Sequence, residues 1–545
     1  MESDLSISAS TVLMKPPCDE PVIRSGDCTD VVKPESRAWV LVAAILGSSM
    51  AFIDSTVVNV ALPALQSSLR ANVVDVQWVV EAYGLFLAAL ILVGGSLGDF
   101  IGRRKMFVGG VLVFAAASLG CGLSTSIRQL ILWRSLQGIG AAFLVPSSLA
   151  IISAAFDEKS RGQAIGTWSG FTAITTGVGP VLGGWLVENV SWHWVFFINL
   201  PLAAAVCVIS LLHVPDSRNP HAGREDWAGA LAATLGLGAI VYGLLESSAQ
   251  GWRSPYVYGS LVGGTIALLA FVIIESRSTS PMLPLALFQV PSFRAANVLT
   301  LLLYAAVGIF FFLFPLNLIQ VQGYSATATG AAALPFILLM FSLSRWSGGL
   351  VAHYGARMPL MIGPFIVALG FLLFTLPSTG ASYWRSFFPA FLILGFGMAV
   401  SVAPLTTVVM SSVEQERAGT ASGINNAVAR LAGVLAIAVL GIVMTWAFNH
   451  RLESSLAGLD LQPDVNQAIQ SNSIKLAGLA VPRNLDPKTA ASVRSAVLES
   501  FIFGFRLVMA ICALLAVASG LQSAAGAFAP RQQETMPAEQ GASSS

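Results

Sequence analysis

Apolar residues run along this chain in blocks of roughly 18 to 28, set apart by short clusters of turn-forming and charged residues. Each block is long enough to cross about 30 Å of hydrocarbon as a helix. Inside lipid only helices and closed barrels satisfy their own backbone. The blocks show no strict period-two alternation, so the pattern predicts helices rather than barrel strands. About fourteen spans are expected, near 38–65, 76–97, 106–125, 129–155, 162–187, 193–213, 227–246, 256–274, 293–320, 328–352, 358–378, 386–410, 418–447 and 500–523. Clusters such as Asp157-Glu158-Lys159 and Pro377-Ser378-Thr379-Gly380 mark their ends.

Composition supports this. Of 545 residues, 55% are hydrophobic and 10% charged, against about 25% charged in soluble domains. The net charge of +1 supplies no basic field, and no nucleic-acid partner is expected. Cys18, Cys28, Cys121, Cys207 and Cys512 are scattered, which predicts neither a disulfide framework nor a metal site. Residues 1–37 are polar, lack an apolar signal core and read as a disordered cytoplasmic tail. Lys15, Arg24, Lys33, Arg37, Arg103, Arg104, Lys105, Lys159, Arg161, Arg218, Arg224, Arg277, Arg294, Arg357, Arg417 and Arg531 fall on the side of that tail. The short loops opposite hold Arg70, Arg128, Arg253 and Arg385. This bias predicts that both termini are cytoplasmic in a bacterial-type plasma (inner) membrane.

The chain repeats itself. Gly95, Leu97, Gly102 and Arg104 match Gly348, Leu350, Gly355 and Arg357 at an offset of 253. A second echo pairs Ser160-Arg161-Gly162 with Glu416-Arg417-Ala418. Two six-span units therefore flank an inserted pair, as in transporters whose substrate site lies between repeats. The expected units are a 1–37 tail, a first bundle at 38–213, an inserted pair with linkers at 214–292, a second bundle at 293–523 containing the 448–499 outer loop, and a 524–545 cytoplasmic tail.

The stretch Gly95-Ser96-Leu97-Gly98-Asp99-Phe100-Ile101-Gly102-Arg103-Arg104-Lys105 sets an acid beside three bases at a helix end. Such charges form a breakable lock, with Asp99 capping a neighbouring helix near Gly419-Thr420 and the bases holding Asp157. The plainer alternative is that they only set topology. This loop resembles the signature of the major facilitator superfamily. Ile53-Asp54-Ser55-Thr56-Val57-Val58-Asn59-Val60-Ala61-Leu62-Pro63 resembles the first-span motif of its fourteen-span drug/proton antiporter branch. Arg134-Ser135-Leu136-Gln137-Gly138-Ile139-Gly140 resembles the span-four arginine motif, and Gly177-Val178-Gly179-Pro180-Val181-Leu182-Gly183-Gly184 the span-five antiporter motif. The likeness covers about 38–523. Ala352 replaces the acid in the second signature loop, and Thr175 a glycine before the span-five motif. The resemblance implies a multidrug efflux transporter with the major facilitator fold, proton-coupling roles for Asp54 and Arg134, and a pathway-sealing role for Gly177, Gly179, Pro180, Gly183 and Gly184. Ordinary glycine packing is the alternative for that stretch.

Charges inside a membrane are costly and point to function. Asp54, Glu81 and Arg134 sit at similar depths, roughly 8–15 Å below the outer surface at 1.5 Å per residue. Carboxylates withdrawn from water take a proton more readily, and those beside an arginine less so. A moving arginine would therefore switch proton affinity between the two faces, with Glu81 added on depth alone. A static ion pair is the alternative. In the second bundle, polar Asn317, Gln320, Arg345, Asn425, Asn426 and Arg430 interrupt apolar blocks. Trp168, Phe171, Phe312, Asn317, Asn425 and Asn426 are the candidates for a substrate cavity; for the aromatics, core or lipid contact is the competing assignment. The near absence of intramembrane carboxylates there suggests neutral or monocationic cargo.

No G-x-x-x-x-G-K-[ST] or H-E-x-x-H occurs. No catalytic residue and no cofactor are expected, and energy must come from a gradient. The leading expectation is a monomeric proton-coupled exporter of small amphipathic drugs or xenobiotics working by alternating access. The alternatives are a dedicated metabolite exporter or nutrient/proton symporter on the same fold and, from another class, a membrane-embedded enzyme or receptor.

Overall fold

The computed structural model of the chain describes residues 34–156, 158–217, 226–278, 281, 283–413, 418–459, 461–481 and 485–524. Most of the two expected tails lies outside these. The first bundle comprises α1 (Pro34–Ser68), α2 (Val73–Ile101), α3 (Arg103–Gly122), α4 (Ile127–Ala155), α5 (Glu158–Asn189), the single turn α6 (Trp194–Phe197) and α7 (Asn199–His213). Helices α8 (Trp227–Gln250) and α9 (Pro255–Arg277) follow. The second bundle comprises α10 (Pro291–Leu316), α11 (Ala326–Ala332), α12 (Leu334–Tyr354), α13 (Arg357–Leu373), α14 (Phe388–Ser411), α15 (Ala418–Leu456), α16 (Pro463–Ser471) and α17 (Pro487–Gln522). No strand occurs among the described residues.

Local chemistry explains several starts. Asn72 and Asp75 form a reciprocal capping box at α2, each side chain accepting from the other's backbone N–H at 2.9 Å. Asp486 accepts from the N–H groups of Lys488 and Thr489 at α17. Among the described residues, 12 helices are long and apolar enough to cross a membrane, fewer than the fourteen spans expected. Of the other two expected spans, one folds as the 32-residue α5 and the other as the shorter, 17-residue α13.

Glycines let helices within each bundle approach to backbone contact. A Cβ at Gly140 would lie 2.6 Å from the Phe114 nitrogen, which joins α4 to α3, and one at Gly138 2.5 Å from the Tyr83 carbonyl, which joins α4 to α2. In the second bundle Gly370 meets Leu394, and Gly308 meets Gly433. Phe310, Phe314, Phe371, Phe374, Phe387 and Phe391 interlock there, with several ring centroids 4.7–6.1 Å apart. Such pairs add about 0.5–1.5 kcal/mol each beyond burial. Helices α8 and α9 pack on each other through Gly236 and Gly264. Trp78 of α2 donates to Glu246 of α8 at 3.4 Å, and α9 stays mostly exposed.

Candidate functional site: a buried charge network beside a sealed seam

We call the end of the bundle bearing the 98–105 turn the turn end, and the opposite one the far end. At the turn, Gly102 adopts φ +123, and a Cβ there would meet the Asp216 carboxylate at 2.6 Å. Conformation and space both demand glycine. Arg103 is buried and donates to the Ala150 carbonyl at 3.3 Å. Arg104 donates to the Val214 carbonyl at 3.1 Å, and Lys105 lies 3.6 Å from Asp216. Arg104 and Lys105 thus bind the segment after α7. Gly95 lies 3.6 Å from Pro146, and Gly98 3.3 Å from the Ser147 hydroxyl, measured from a built Cβ. The Asp99 side chain, Asp157 and the side chains of Gly419-Thr420 lie outside the described residues, and so does the lock expected between them.

The centre of the first bundle holds a closed polar network. Asp54 on α1 is fully buried and Arg134 on α4 is 1% exposed. Arg134 Nη1 donates to Asp54 Oδ2 at 2.5 Å and to Gln137 Oε1 at 2.7 Å. Gln137 Nε2 donates to Asp54 Oδ1 at 2.8 Å, and Asn199 Nδ2 reaches the same oxygen at 3.2 Å. The Ser118 hydroxyl accepts from both amides and donates to the Phe196 carbonyl. Arg134 Nε donates to the Val79 carbonyl at 3.0 Å, and its guanidinium stands 4.3 Å over the Tyr83 ring. Both carboxylate oxygens are therefore occupied, as are Nε, Nη1 and one face of the arginine. The equal depth inferred for Asp54 and Arg134 is realised as direct contact.

Glu81 is not part of this network. It is fully buried, and neither oxygen has a hydrogen-bond partner. Its helical neighbours Gln77 and Gly84 share its face of α2, and they meet the Ile437 carbonyl and Val434 of α15. Tyr83, which faces Arg134, lies two residues on and hence nearly opposite. Counting along the helices grouped Glu81 with the pair; helix phase separates them, and Glu81 stands at the seam between the bundles.

The two bundles meet most closely at the far end. Gly184 of α5 abuts the Ala326 carbonyl of α11, and Gly330 of α11 abuts the Pro180 carbonyl. The Thr327 hydroxyl donates to Glu188 Oε2 at 2.6 Å. This bond and its backbone companion hold the Glu188 carboxyl, beyond the membrane-spanning part of α5, below its ordinary range. Gly177 faces Ile337 of α12, while Gly179 and Gly183 turn to Thr56 and Val57 of α1. The α5 motif thus serves two faces, one inside its own bundle and one across the seam. Part of the 448–499 segment covers this end. Gln66 of α1 donates to the Lys475 carbonyl at 3.2 Å and accepts from Gln320 at 2.7 Å. Arg494 donates to the carbonyls of Ala477 and Gln320.

The cavity candidates scatter. Trp168 donates to Ser48 at 3.0 Å inside the first bundle. Phe171 is 50% exposed and shares a stripe with exposed Ile174, Val178 and Trp185, away from the α1 and α11 faces of α5. Phe312 is buried in the second core, and buried Asn317 sits in a π-helical turn, where its Oδ1 accepts from Gln322. Asn425 donates to Asn297 and Thr300 of α10. Asn426 is exposed on the next face of α15. Gln137, Ser118, Asn199 and Tyr83 were missed as site residues. Only Gln137 carried a signal, three residues after Arg134 in the same motif.

Comparison with known proteins places this arrangement. The family model described as Major Facilitator Superfamily matches residues 44–437. The multidrug resistance protein Stp of Mycobacterium tuberculosis is 35% identical over 491 residues, covering 88% of this chain and 90% of that protein. The tetracenomycin C resistance and export protein of Streptomyces glaucescens is 32% identical over 489 residues, covering 88% and 90%. Among solved structures, an inward-facing bacterial homologue of the human lysosomal transporter Spinster superposes with a TM-score of 0.60 at 16% identity, covering 91% of this chain and 100% of that one.

Proposed function

This chain belongs to the major facilitator superfamily and is a multi-pass membrane transporter of small molecules rather than an enzyme; from that premise we propose that it exports small amphipathic drugs or xenobiotics in exchange for protons, by alternating access. The observation that carries the reading is the buried Asp54–Arg134 pair with its ring of amides. An ion pair withdrawn from water is held only while both charges are compensated. When Asp54 takes a proton, Arg134 keeps Gln137, the Val79 carbonyl and the Tyr83 ring. The arginine then keeps hydrogen bonds but loses its counter-charge, and that imbalance favours rearrangement. Glu81, at the α2–α15 seam, is the second proposed proton site, because a rocking motion of the bundles changes its surroundings directly.

The far-end contacts support alternating access, since they are the joints that must part for release. In this reading the turn end and both termini are cytoplasmic, the membrane is a bacterial plasma membrane, fourteen spans cross it, and one chain suffices. The bundles are 38–213 and 293–523, with 214–292 as the inserted pair. Asp99, Arg103 and Asp157 act as the turn-end lock, and the α5 motif seals the far end. Relatives named for resistance or export favour outward transport over nutrient uptake. A dedicated metabolite exporter is the second reading, favoured by the relative named for tetracenomycin C export.

The test is dye accumulation in energised inverted vesicles with wild type, Asp54→Asn and Glu81→Gln. Uphill transport abolished by an uncoupler and by Asp54→Asn, with dye binding retained, is the expected result. Transport indifferent to the uncoupler and to both substitutions overturns proton coupling.

A further inference from the structure

One intramembrane cation at the seam, Arg430, has no carboxylate partner among the described residues. Arg430 lies twelve residues into α15, roughly 18 Å along the helix at 1.5 Å per residue. It is nine residues, or about two and a half turns, from exposed Val439, and so points away from the open face of α15 that Val439 and Trp446 define. Lipid headgroups are therefore not its partner. It shares the face of α15 that meets α2, one turn before Val434, which packs on Gly84.

Across the seam its guanidinium faces the Phe52 ring at 6.0 Å. Phe52 and Asp54 are two residues apart on α1 and point to opposite sides. Asp54 faces the closed network, and Phe52 faces the seam. Tyr83 lies within electrostatic reach of Arg430 on one side and against Arg134 on the other. No carboxylate pairs with Arg430 among the described residues, and its side chain makes no hydrogen bond. Of the acids near the seam, Asp54 is spent, since both its oxygens are held by Arg134, Gln137 and Asn199, and Glu81 of α2 makes no hydrogen bond to any described residue, Arg430 included. Arg430 is only partly buried, and Asn426, one turn away on the same face, is exposed.

A guanidinium stays protonated and carries five N–H donors in a fixed fork that matches a carboxylate. An aromatic face compensates its charge in part but accepts none of those bonds well. A lone charge at this depth calls for a partner, and the described residues supply none.

We propose that Arg430 and Phe52 form a substrate subsite, in which the guanidinium binds an acidic group, a carboxylate or phenolate, on an amphipathic cargo whose rings stack against Phe52. This rests on the transporter reading and specifies its substrate class. It replaces the expectation of neutral or monocationic cargo, which counted acids in the second bundle and left Arg430 out.

The test is equilibrium binding in nanodiscs, where no gradient is needed, so a failure of proton coupling leaves the result standing. The probes are 7-diethylaminocoumarin-3-carboxylate and its neutral N-methylamide. Wild type is expected to bind the acid more tightly than the amide. Arg430→Gln is expected to weaken the acid about tenfold or more while leaving the amide within about twofold, which also reports that the variant is folded. Arg430→Lys, which keeps the charge, is expected to retain a preference for the acid. The proposal is overturned if wild type shows no preference for the acid, if Arg430→Gln weakens both probes equally while Arg430→Lys loses the preference, or if neither substitution changes it.

Discussion

At the scale of single residues, compensation decides what each charge can do. Asp54 and Arg134 satisfy one another through Gln137 and Asn199, whereas Glu81 has no such company. Replacing Gln137 with Leu removes a donor to Asp54 and an acceptor for Arg134. Leaving buried polar atoms unsatisfied costs about 1–3 kcal/mol, so Gln137→Leu is expected to lower the thermal midpoint in detergent and to slow proton-driven transport together. An unchanged midpoint would show that the amide is dispensable. The sequence made the Asp54–Arg134 contact legible because depth follows from counting residues along a helix. It left Glu81 misplaced because the phase of one helix against another depends on neighbours that the chain does not state. Ser118 and Asn199 were invisible for a related reason: a lone polar residue in an apolar block carries no sign of its partner.

Among the elements, α5 and α11 form the joint that the proposed alternating access has to open. Gly184 and Gly330 bring their backbones together, and a side chain there overpacks the contact, at about 1–3 kcal/mol. That shifts a two-state equilibrium by about five- to a hundredfold. Gly184→Leu is therefore expected to hold the far end open, read as faster thiol labelling of a cysteine introduced at Thr329, which is buried on α11. Glu188 adds a pH dependence. Its carboxyl is lowered by the Thr327 hydrogen bonds in the closed state, so its contribution to closure is present above the ordinary value of 4.5. That contribution is lost as pH falls through the lowered one. Labelling, divided by the rate of a free thiol at the same pH because the thiolate is the nucleophile, is expected to quicken as the far side is acidified below that ordinary value, and Glu188→Gln to flatten the dependence. The glycine motif of α5 was readable as close packing, but its division between α1 and α11 needed both bundles in view. Pro463 and Pro487 of the 448–499 segment stand at the starts of α16 and α17. They gave no hint that Ser473–Gly478 would rest on Gln66.

The whole molecule is two bundles joined at the far end, with a buried ion pair enclosed in one and, on the other, a cation without a carboxylate partner among the described residues. Fold class was legible because block length against bilayer thickness admits few solutions, and the Gly95–Gly348 echo disclosed the duplication. The number of spans was less secure. The 17-residue α13 is short for a crossing, and periodicity alone does not separate a short span from a buried helix. If Gln66, Gln320 and Arg494 help to hold the far end shut, Arg494→Ala is expected to raise the open fraction several-fold in the same labelling assay, and unaltered labelling would reduce the segment to a passive cover. The most direct measurement of the central claim is proton movement itself. Purified protein would be placed in liposomes with a trapped pH indicator, and an amphipathic dye gradient imposed without any starting pH difference. The account predicts a proton flux opposite in direction to the dye, abolished in Asp54→Asn although dye binding persists. Dye movement with no accompanying proton flux in the wild type, or an undiminished flux in Asp54→Asn, would contradict it.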